Sequence, residues 1–383
     1  MIKIGQRSIM IGEINVRILY LTTISNTLNA FLIPHIRLLK EMGHEVDIAC
    51  NIVQELKPEL IDVVEKVYPV EFQRSIFNRK NIKAFQSIQQ ILRKGNYGIV
   101  HTHTPIASAC VRLCAKNIPN LKVIYTAHGF HFYNKAPLLN WLTYYPVEKA
   151  LSKYTDIIIT INQEDYNRAT HSLKSKRVVY IPGVGIDTKS FKRIQTTKSK
   201  KREELKIPQN AFLLLSIGEL NQNKNHEVGL RALARANNRN IHYVICGTGP
   251  LEDHLKKLVN DLGLRDQVKL IGYRKDIGEV CKAADVFVFP SYREGLPVSI
   301  MEAMISNLPI ICSKIRGNTD LVREGYNGFL HAPVDVDGFA TSINHFYSHP
   351  NELAVFGERS VELVEKFSNQ SVNSQLQLLY AEL

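Results

Sequence analysis

Long apolar runs are missing from this 383-residue chain: the best of them, such as IIITI after Asp156 and VFVFP after Asp285, fall well short of the ~20 residues that a bilayer-spanning helix needs. Cysteine is sparse and scattered, with six in all, and the nearest pair, Cys110 and Cys114, has helical rather than metal-hairpin spacing. The thiols therefore read as small core residues in a reducing compartment. Acid is scarce in the first half. Residues 1–186 hold 23 Lys and Arg against 13 Asp and Glu, whereas residues 187–383 hold 25 against 23. No solenoid-length repeat, low-complexity tract or basic–apolar–cleavage pattern is present, so the expectation is a cytoplasmic globular protein. A surplus of charge confined to one half predicts that this half faces something anionic: nucleic acid, a phospholipid surface or a diphosphate-bearing lipid.

What the chain does have is alternation. Short β-branched runs at 16–23, 98–104, 122–128 and 156–161, then at 212–220, 242–249, 285–291 and 308–313, are separated by amphipathic helical stretches. That order predicts an α/β fold with parallel sheets covered by helices on both faces. Because the pattern restarts after residue 187, two tandem domains are expected, 1–186 and 187–355, with a helical tail at 356–383 packing back on the first. The turn in IPGVGIDTKSF (181–191) is the hinge. TKSFKRIQTTKSKKR (188–202), with seven cations and no acid, reads as a solvated surface segment.

In such sheets ligands bind beyond the carboxyl ends of the strands. The residues there are polar: HTHT, AHGFH, GELNQNKN, CGTGP and SYREGLP. Two domains presenting these edges to each other would enclose a cleft. In FPSYREGLPVSIMEAM (289–304) a strand ends, a turn follows and a helix begins near Pro297. The leading amides of that helix form a phosphate site. Glu294, just before it, must then accept from neutral donors such as sugar hydroxyls, and Glu302 is suited to the two hydroxyls of a ribose. Complementing the helix dipole and pairing at the surface is the other reading of the two carboxylates.

Glu294 and Glu302, with GLP between, resemble the E-x7-E signature of retaining glycosyltransferases of family 4, whose fold is GT-B: two facing Rossmann-like domains with a cleft between them. SIGELNQNKN resembles that family's phosphate-lysine loop, IPGVGIDTKSF its linker, GYRKDI its base-binding loop and GNTDLVREGYNGFL the segment after the signature. The resemblance spans nearly the whole chain. It implies that Glu294 contacts the donor sugar, that Glu302 holds the nucleotide ribose, and that the backbone from Gly295, Leu296 and Pro297 to Val298 and Ser299 holds the diphosphate. Lys224, with Gly218 at the head of its loop, would take the charge of the leaving UDP, with no metal or other cofactor. Tyr273 and Arg274 would flank the base through backbone groups. Where the family often has an arginine after the loop glycine, this chain has Glu219, and the family's Gly-Gly loop after the first strand is replaced by TTISNTLNAFLIPH.

TAHGFHFY (126–133) resembles family members that build capsule, exopolysaccharide or lipid-linked oligosaccharide, which places His128 near the reacting sugar. Asn29, His103 and His131 are the acceptor-side candidates. A metal hydrolase built on His101, His103, His128 and His131 is the rival reading, and Asp335-Val-Asp337 imitates a metal-binding DxD, although a solvated loop explains it. The basic stretch 72–97, with Phe77, Phe85, Ile88, Ile91 and Leu92 interleaved, is either an anionic-membrane contact or an outer helix packed on the sheet. The expected function is transfer of a hexose or N-acetylhexosamine from a UDP-sugar to a lipid-linked or glycan acceptor, at the inner face of the cell membrane. An epimerase or phosphorylase of the same fold, or a non-catalytic subunit of a glycosylation complex, would share these features. A nucleic-acid binder would explain the charge but not the glutamates.

Overall fold

The computed structural model describes residues 15–73 and 79–383. The chain forms two compact units. One takes in the chain up to Ile161, Asp165–Val184 and Val372–Leu383; the other holds Asn162–Glu164 and Gly185–Ser371. The polypeptide thus passes between units at 184/185, inside the turn read as the hinge and two residues before the expected domain boundary at 186/187. The segment read as one tail divides: 356–371 stay with the second unit, where Phe356 joins the core, and 372–383 belong to the first.

The first unit is built on a seven-stranded parallel sheet: β1 (Arg17–Ile24), β2 (Glu45–Asn51), β3 (Lys66–Pro69), β4 (Ile99–His103), β5 (Lys122–Ala127), β6 (Ile157–Thr160) and β7 (Arg177–Tyr180), in the order β3-β2-β1-β4-β5-β6-β7. Parallel neighbours require crossover helices, which cover both faces and explain why β4 is buried along its whole length. Register sets His101 opposite Ile124 and His103 opposite Thr126. The last helix, Asn369–Ala381, completes this core by burying Val372, Leu376, Leu379 and Tyr380 beside Ile18, Tyr20 and Ile36.

The helix Lys80–Gly95 settles part of the reading of 72–97. Ala84, Ile88 and Leu92, one turn apart, are buried with Val70, Phe72, Val100 and Val111, and Phe85 and Ile91 pack against the same cluster. Its apolar face is therefore spent on the core, while Ile82, Lys83, Arg93 and Lys94 stay exposed. Phe77 lies outside the described residues.

The second unit repeats the plan with six parallel strands: β8 (Phe212–Ile217), β9 (Ile241–Cys246), β10 (Val268–Leu270), β11 (Val286–Phe289), β12 (Ile310–Ser313) and β13 (Gly328–His331), ordered β10-β9-β8-β11-β12-β13. In both sheets the strand order reverses once, at β1/β4 and at β8/β11, and crevices for ligands form at such reversals. The basic segment 188–202 is not all solvated. Lys201 and Arg202 are buried: Lys201 donates to Glu204 and Asp276, and Arg202 to Asp285 and the carbonyls of Gln209, Ala211 and Ala283. Apart from the neighbouring Glu204, their acids come 75 and 83 residues later in the chain, and a buried cation is tolerated only with such partners.

Candidate active site

The reversal between β8 and β11 brings two loops together. After β8, residues 218–225 are stitched to the loop after β11, where Tyr292 N donates to Asn223 O at 2.8 Å, Asn223 Nδ2 to Arg293 O at 2.9 Å and Asn225 Nδ2 to Pro290 O at 2.9 Å, and to the segment after β13, where Asn225 Nδ2 donates to Pro333 O at 2.7 Å. Asn225 takes a left-handed conformation, φ 55°, which asparagine tolerates well. This stitching aims Lys224 across Gly218. Its Nζ lies 2.7 Å from Glu294 Oε1 and 4.8 Å from the centre of the Phe289 ring. The cation assigned to the diphosphate and the carboxylate assigned to the sugar are thus direct partners.

Glu294 is fixed from behind. Arg316, buried, donates from Nε to the Glu294 carbonyl at 3.0 Å, and Gly317 packs so closely that a Cβ there would lie 2.4 Å from Gly295 O, at a φ of 81°. Beyond Leu296, Pro297 caps the helix Val298–Ile305 without a side-chain hydrogen bond, and no acid stands in its first turn. The first turn of amides, Val298 and Ser299 included, therefore has no anionic side chain supplied by its own helix. Glu302, further along, has no salt bridge among the described residues, and burial pushes its carboxyl up to about 7.

Beside these loops lies a groove of about 540 Å³, lined among others by Gly218, Glu219, Thr248, Tyr273, Arg274 and Ile277. Gly247 makes it possible, because a Cβ at that position would meet Gly218 O at 1.9 Å. Tyr273 is 72 % exposed on its rim. Arg274 turns its guanidinium to Asp276 and Glu204, and together with Lys201 it holds the Asp276 carboxyl below its ordinary range. Glu219 is exposed and accepts from Asn221 Nδ2 at 2.8 Å. His226, the first residue of the next helix, is buried beneath the loop, and burial lowers it to about 4.

In the first unit the carboxyl ends of β4 and β5 carry imidazoles. His103 Nδ1 and His128 Nε2 are 2.9 Å apart. His101 stacks on His103 with centroids 4.4 Å apart and shares hydrogen bonds with Tyr380 and Thr126. Burial pushes His101 and His103 well below the ordinary imidazole range and His128 to about 4, so all three are neutral at pH 7. His131 stands elsewhere, its ring stacked on Tyr144. Asn29 is buried, with Nδ2 donating to Glu55 O and Oδ1 accepting from Lys57 N, so its side chain braces the 55–57 loop.

The carboxylates that could hold an ion, among the described residues, are Glu204, Asp276 and Glu279, and the Lys201 ammonium lies within 2.9 Å of an oxygen of each. The DxD imitation is spent: Asp335 caps the helix Val336–Ser348 through Gly338 N, and Asp337 pairs with Arg235. Asn225 and Arg316, which position the Lys224–Glu294 pair, were not singled out by the sequence. The last Asn of NQNKN is a weak turn signal for the former. Nothing local marks the latter, whose target lies 22 residues upstream.

Comparison with known proteins bears on the fold and the family. Residues 17–162 match the family described as "Glycosyl transferase 4-like" and residues 197–362 the one described as "Glycosyl transferases group 1". EpsD of Bacillus subtilis, named as a glycosyltransferase, is 34% identical over 371 residues, covering 95% of this chain and 96% of that protein. An Escherichia coli UDP-Gal:alpha-D-GlcNAc-diphosphoundecaprenol alpha-1,3-galactosyltransferase is 30% identical over 313 residues, covering 80% and 81%. Anabaena HepE, solved in complex with UDP, superposes with a TM-score of 0.78 at 20% identity over 96% of this chain and 100% of that one. With matching family patterns in both units and a relative similar over nearly its full length, the chain belongs to the family 4 glycosyltransferases, built on the pair of Rossmann-like domains called GT-B.

Proposed function

We propose that this glycosyltransferase takes a hexose or N-acetylhexosamine from a UDP-sugar and places it, with retention and without a metal ion, on a lipid-linked or glycan acceptor of cell-surface polysaccharide synthesis. The observation that carries the reading is the Lys224–Glu294 pair set against the acid-free first turn of Val298–Ile305. The donor diphosphate draws the Lys224 ammonium and the leading amides, while Glu294 accepts from sugar hydroxyls and Glu302 from the ribose. As the bond from the sugar's anomeric carbon to the phosphate oxygen breaks, negative charge grows on UDP, and a cation with aligned amides stabilises it. The acceptor oxygen bonds to the anomeric carbon from the same face, and its proton passes to an oxygen of the departing phosphate. The UDP donor is supported by the complexes and names of the relatives, and the retaining course by the E-x7-E resemblance.

The test is a panel of UDP-sugars scored by protection against thermal unfolding, followed by the anomeric configuration of the product by NMR, with and without EDTA. Expected are protection by UDP and by one or a few UDP-sugars, a product with the donor's configuration, and full activity in EDTA. Inversion, loss of activity in EDTA, or donor turnover with no acceptor overturns the corresponding part.

The same proposal places the chain at an anionic membrane. No helix of the described residues is long and apolar enough to cross one. With the apolar side of Lys80–Gly95 used in the core, the support comes from the helix Leu138–Leu151. Leu138, Leu139 and Leu142 are 73, 68 and 66 % exposed, and the helix's one acid, Glu148, is buried against Arg112. A chain found wholly in the supernatant on cell fractionation at low salt removes this part.

A further inference from the structure

We infer that His103 is a positioning residue that holds His128 in one tautomer, protonated on Nδ1, so that His128 offers an N–H donor rather than a lone pair. The two rings are joined through His103 Nδ1 and His128 Nε2 at 2.9 Å. His103 is enclosed by rings, with His101 stacked on it and Tyr20 at 4.8 Å between centroids. Its other nitrogen, Nε2, is buried and has no hydrogen-bond partner. Among the described residues no carboxylate or cation bonds either ring, and the titratable groups whose charge bears on the pair are His35 and His101.

Each ring is neutral and carries one proton, which leaves two arrangements of the shared hydrogen bond. If His128 donated through Nε2, His103 would have to carry its proton on Nε2, leaving a buried N–H with no acceptor. A buried N–H left without an acceptor loses its full hydration with nothing in return, a larger cost than that of a lone pair set against ring edges. If His103 donates through Nδ1, its Nε2 is only a lone pair against ring edges, and His128 Nε2 is satisfied as an acceptor. The second arrangement forces the His128 proton onto Nδ1, on a half-buried ring whose other nitrogen is already taken by His103.

A donor there cannot also take a proton. It suits an oxygen lone pair of the sugar or acceptor, and it leaves the acceptor's proton to the phosphate. What the N–H meets rests on the function proposed above; the tautomer does not. The arrangement follows from the spacing of HTH on β4: residues 101 and 103 share a face, and the strand's last residue reaches across to the turn after β5.

The test labels the full chain with 15N-histidine and records long-range proton–nitrogen correlations at pH 7.5, with no sugar present. Expected is a pyrrole-type Nδ1 and a pyridine-type Nε2 for His128, and the same for His103. A pyrrole-type Nε2 on His128 overturns the inference, whatever the enzyme's activity. His103→Leu should leave His128 in mixed tautomers and lower kcat about tenfold, the loss of roughly one hydrogen bond, with KM unchanged. His103→Asn, whose amide can donate from near the Nδ1 position, should restore the single tautomer and most of the rate. Equal losses in both variants would mean a packing role only and overturn the assignment. The stated tautomer in a chain that transfers no sugar would sink the proposed function and leave the tautomer standing.

Discussion

The two units share one strand order, counted from each unit's own first strand, and differ in what they place at its reversal. The second unit sets opposite charges face to face, Lys224 against Glu294, beside a helix start with no acid in its first turn. The first unit sets neutral imidazoles, His101, His103 and His128, linked to each other and to hydroxyls. The chain's basic surplus sits in the half with the neutral edge, so net charge and site charge are separate properties here. One scaffold thus supplies an edge that can stabilise a growing anion and another that can orient oxygens without offering charge, and the chemistry belongs to the loops rather than to the fold.

The largest expected break in that contrast is Lys224→Ala. It removes the cation from the charged edge and leaves Glu294 half-buried without its partner. Sugar transfer should fall by about 100- to 1000-fold, the scale seen when one charge-stabilising donor is lost. The fold should persist, because the stitching through Asn223 and Asn225 does not use the lysine side chain. Steady-state rates with near-UV circular dichroism decide it; a variant with full activity removes Lys224 from the mechanism.

A smaller effect separates Glu302 from Glu294 by pH. Burial raises the Glu302 carboxyl from its ordinary 4.5 to about 7. The folded chain therefore keeps a proton that the unfolded chain loses between about 4.5 and 7, so this group makes stability fall as pH rises across that window and contributes no further change above it. Ribose hydroxyls need the ionised form as acceptor. Binding of a UDP-sugar, whose diphosphate does not titrate here, should tighten by up to about tenfold from pH 6 to pH 8, following the ionised fraction. Glu302→Gln should flatten both curves. Calorimetric titrations and melting curves across pH check this, and an unchanged slope in the variant would assign the dependence to another group.

How much of this was readable in advance depends on distance along the chain. Alternating apolar runs are local, and both parallel sheets followed from them. The charged loops were legible for the same reason, since Glu294, Pro297 and Glu302 lie within one strand–turn–helix. Long-range partners were not. Lys201 and Arg202 look solvated in a run of cations, yet acids 75 and 83 residues away receive them in the interior. Asn29 stands where an acceptor contact was expected, and its amide instead binds a loop 26 to 28 residues downstream. Arg316 carries no motif, because its role is to hold a carbonyl whose identity only the fold reveals. The division of the tail at 371/372 was hidden likewise: Phe356 and Leu376 are equally apolar, and periodicity does not say which sheet each will meet.

The smallest effect sharpens the comparison by adding charge to the second edge. Glu219 follows the loop glycine where the family often has an arginine, and here it is exposed, lines the groove and is held by Asn221 Nδ2. In Glu219→Arg a negative charge leaves the groove and a positive one enters. Because the position faces water, the gain is that of an exposed ion pair, up to about 1 kcal/mol, or roughly threefold to fivefold in UDP affinity. Raising the salt should erase it, since the Debye length shrinks from about 10 Å at 0.1 M to about 3 Å at 1 M. Titration of UDP at both salt concentrations therefore measures how near this loop comes to the diphosphate. A gain that survives high salt would indicate a direct hydrogen-bonded contact, and no gain at low salt would place the diphosphate away from the head of the loop, leaving Lys224 as the cation that reaches it from there.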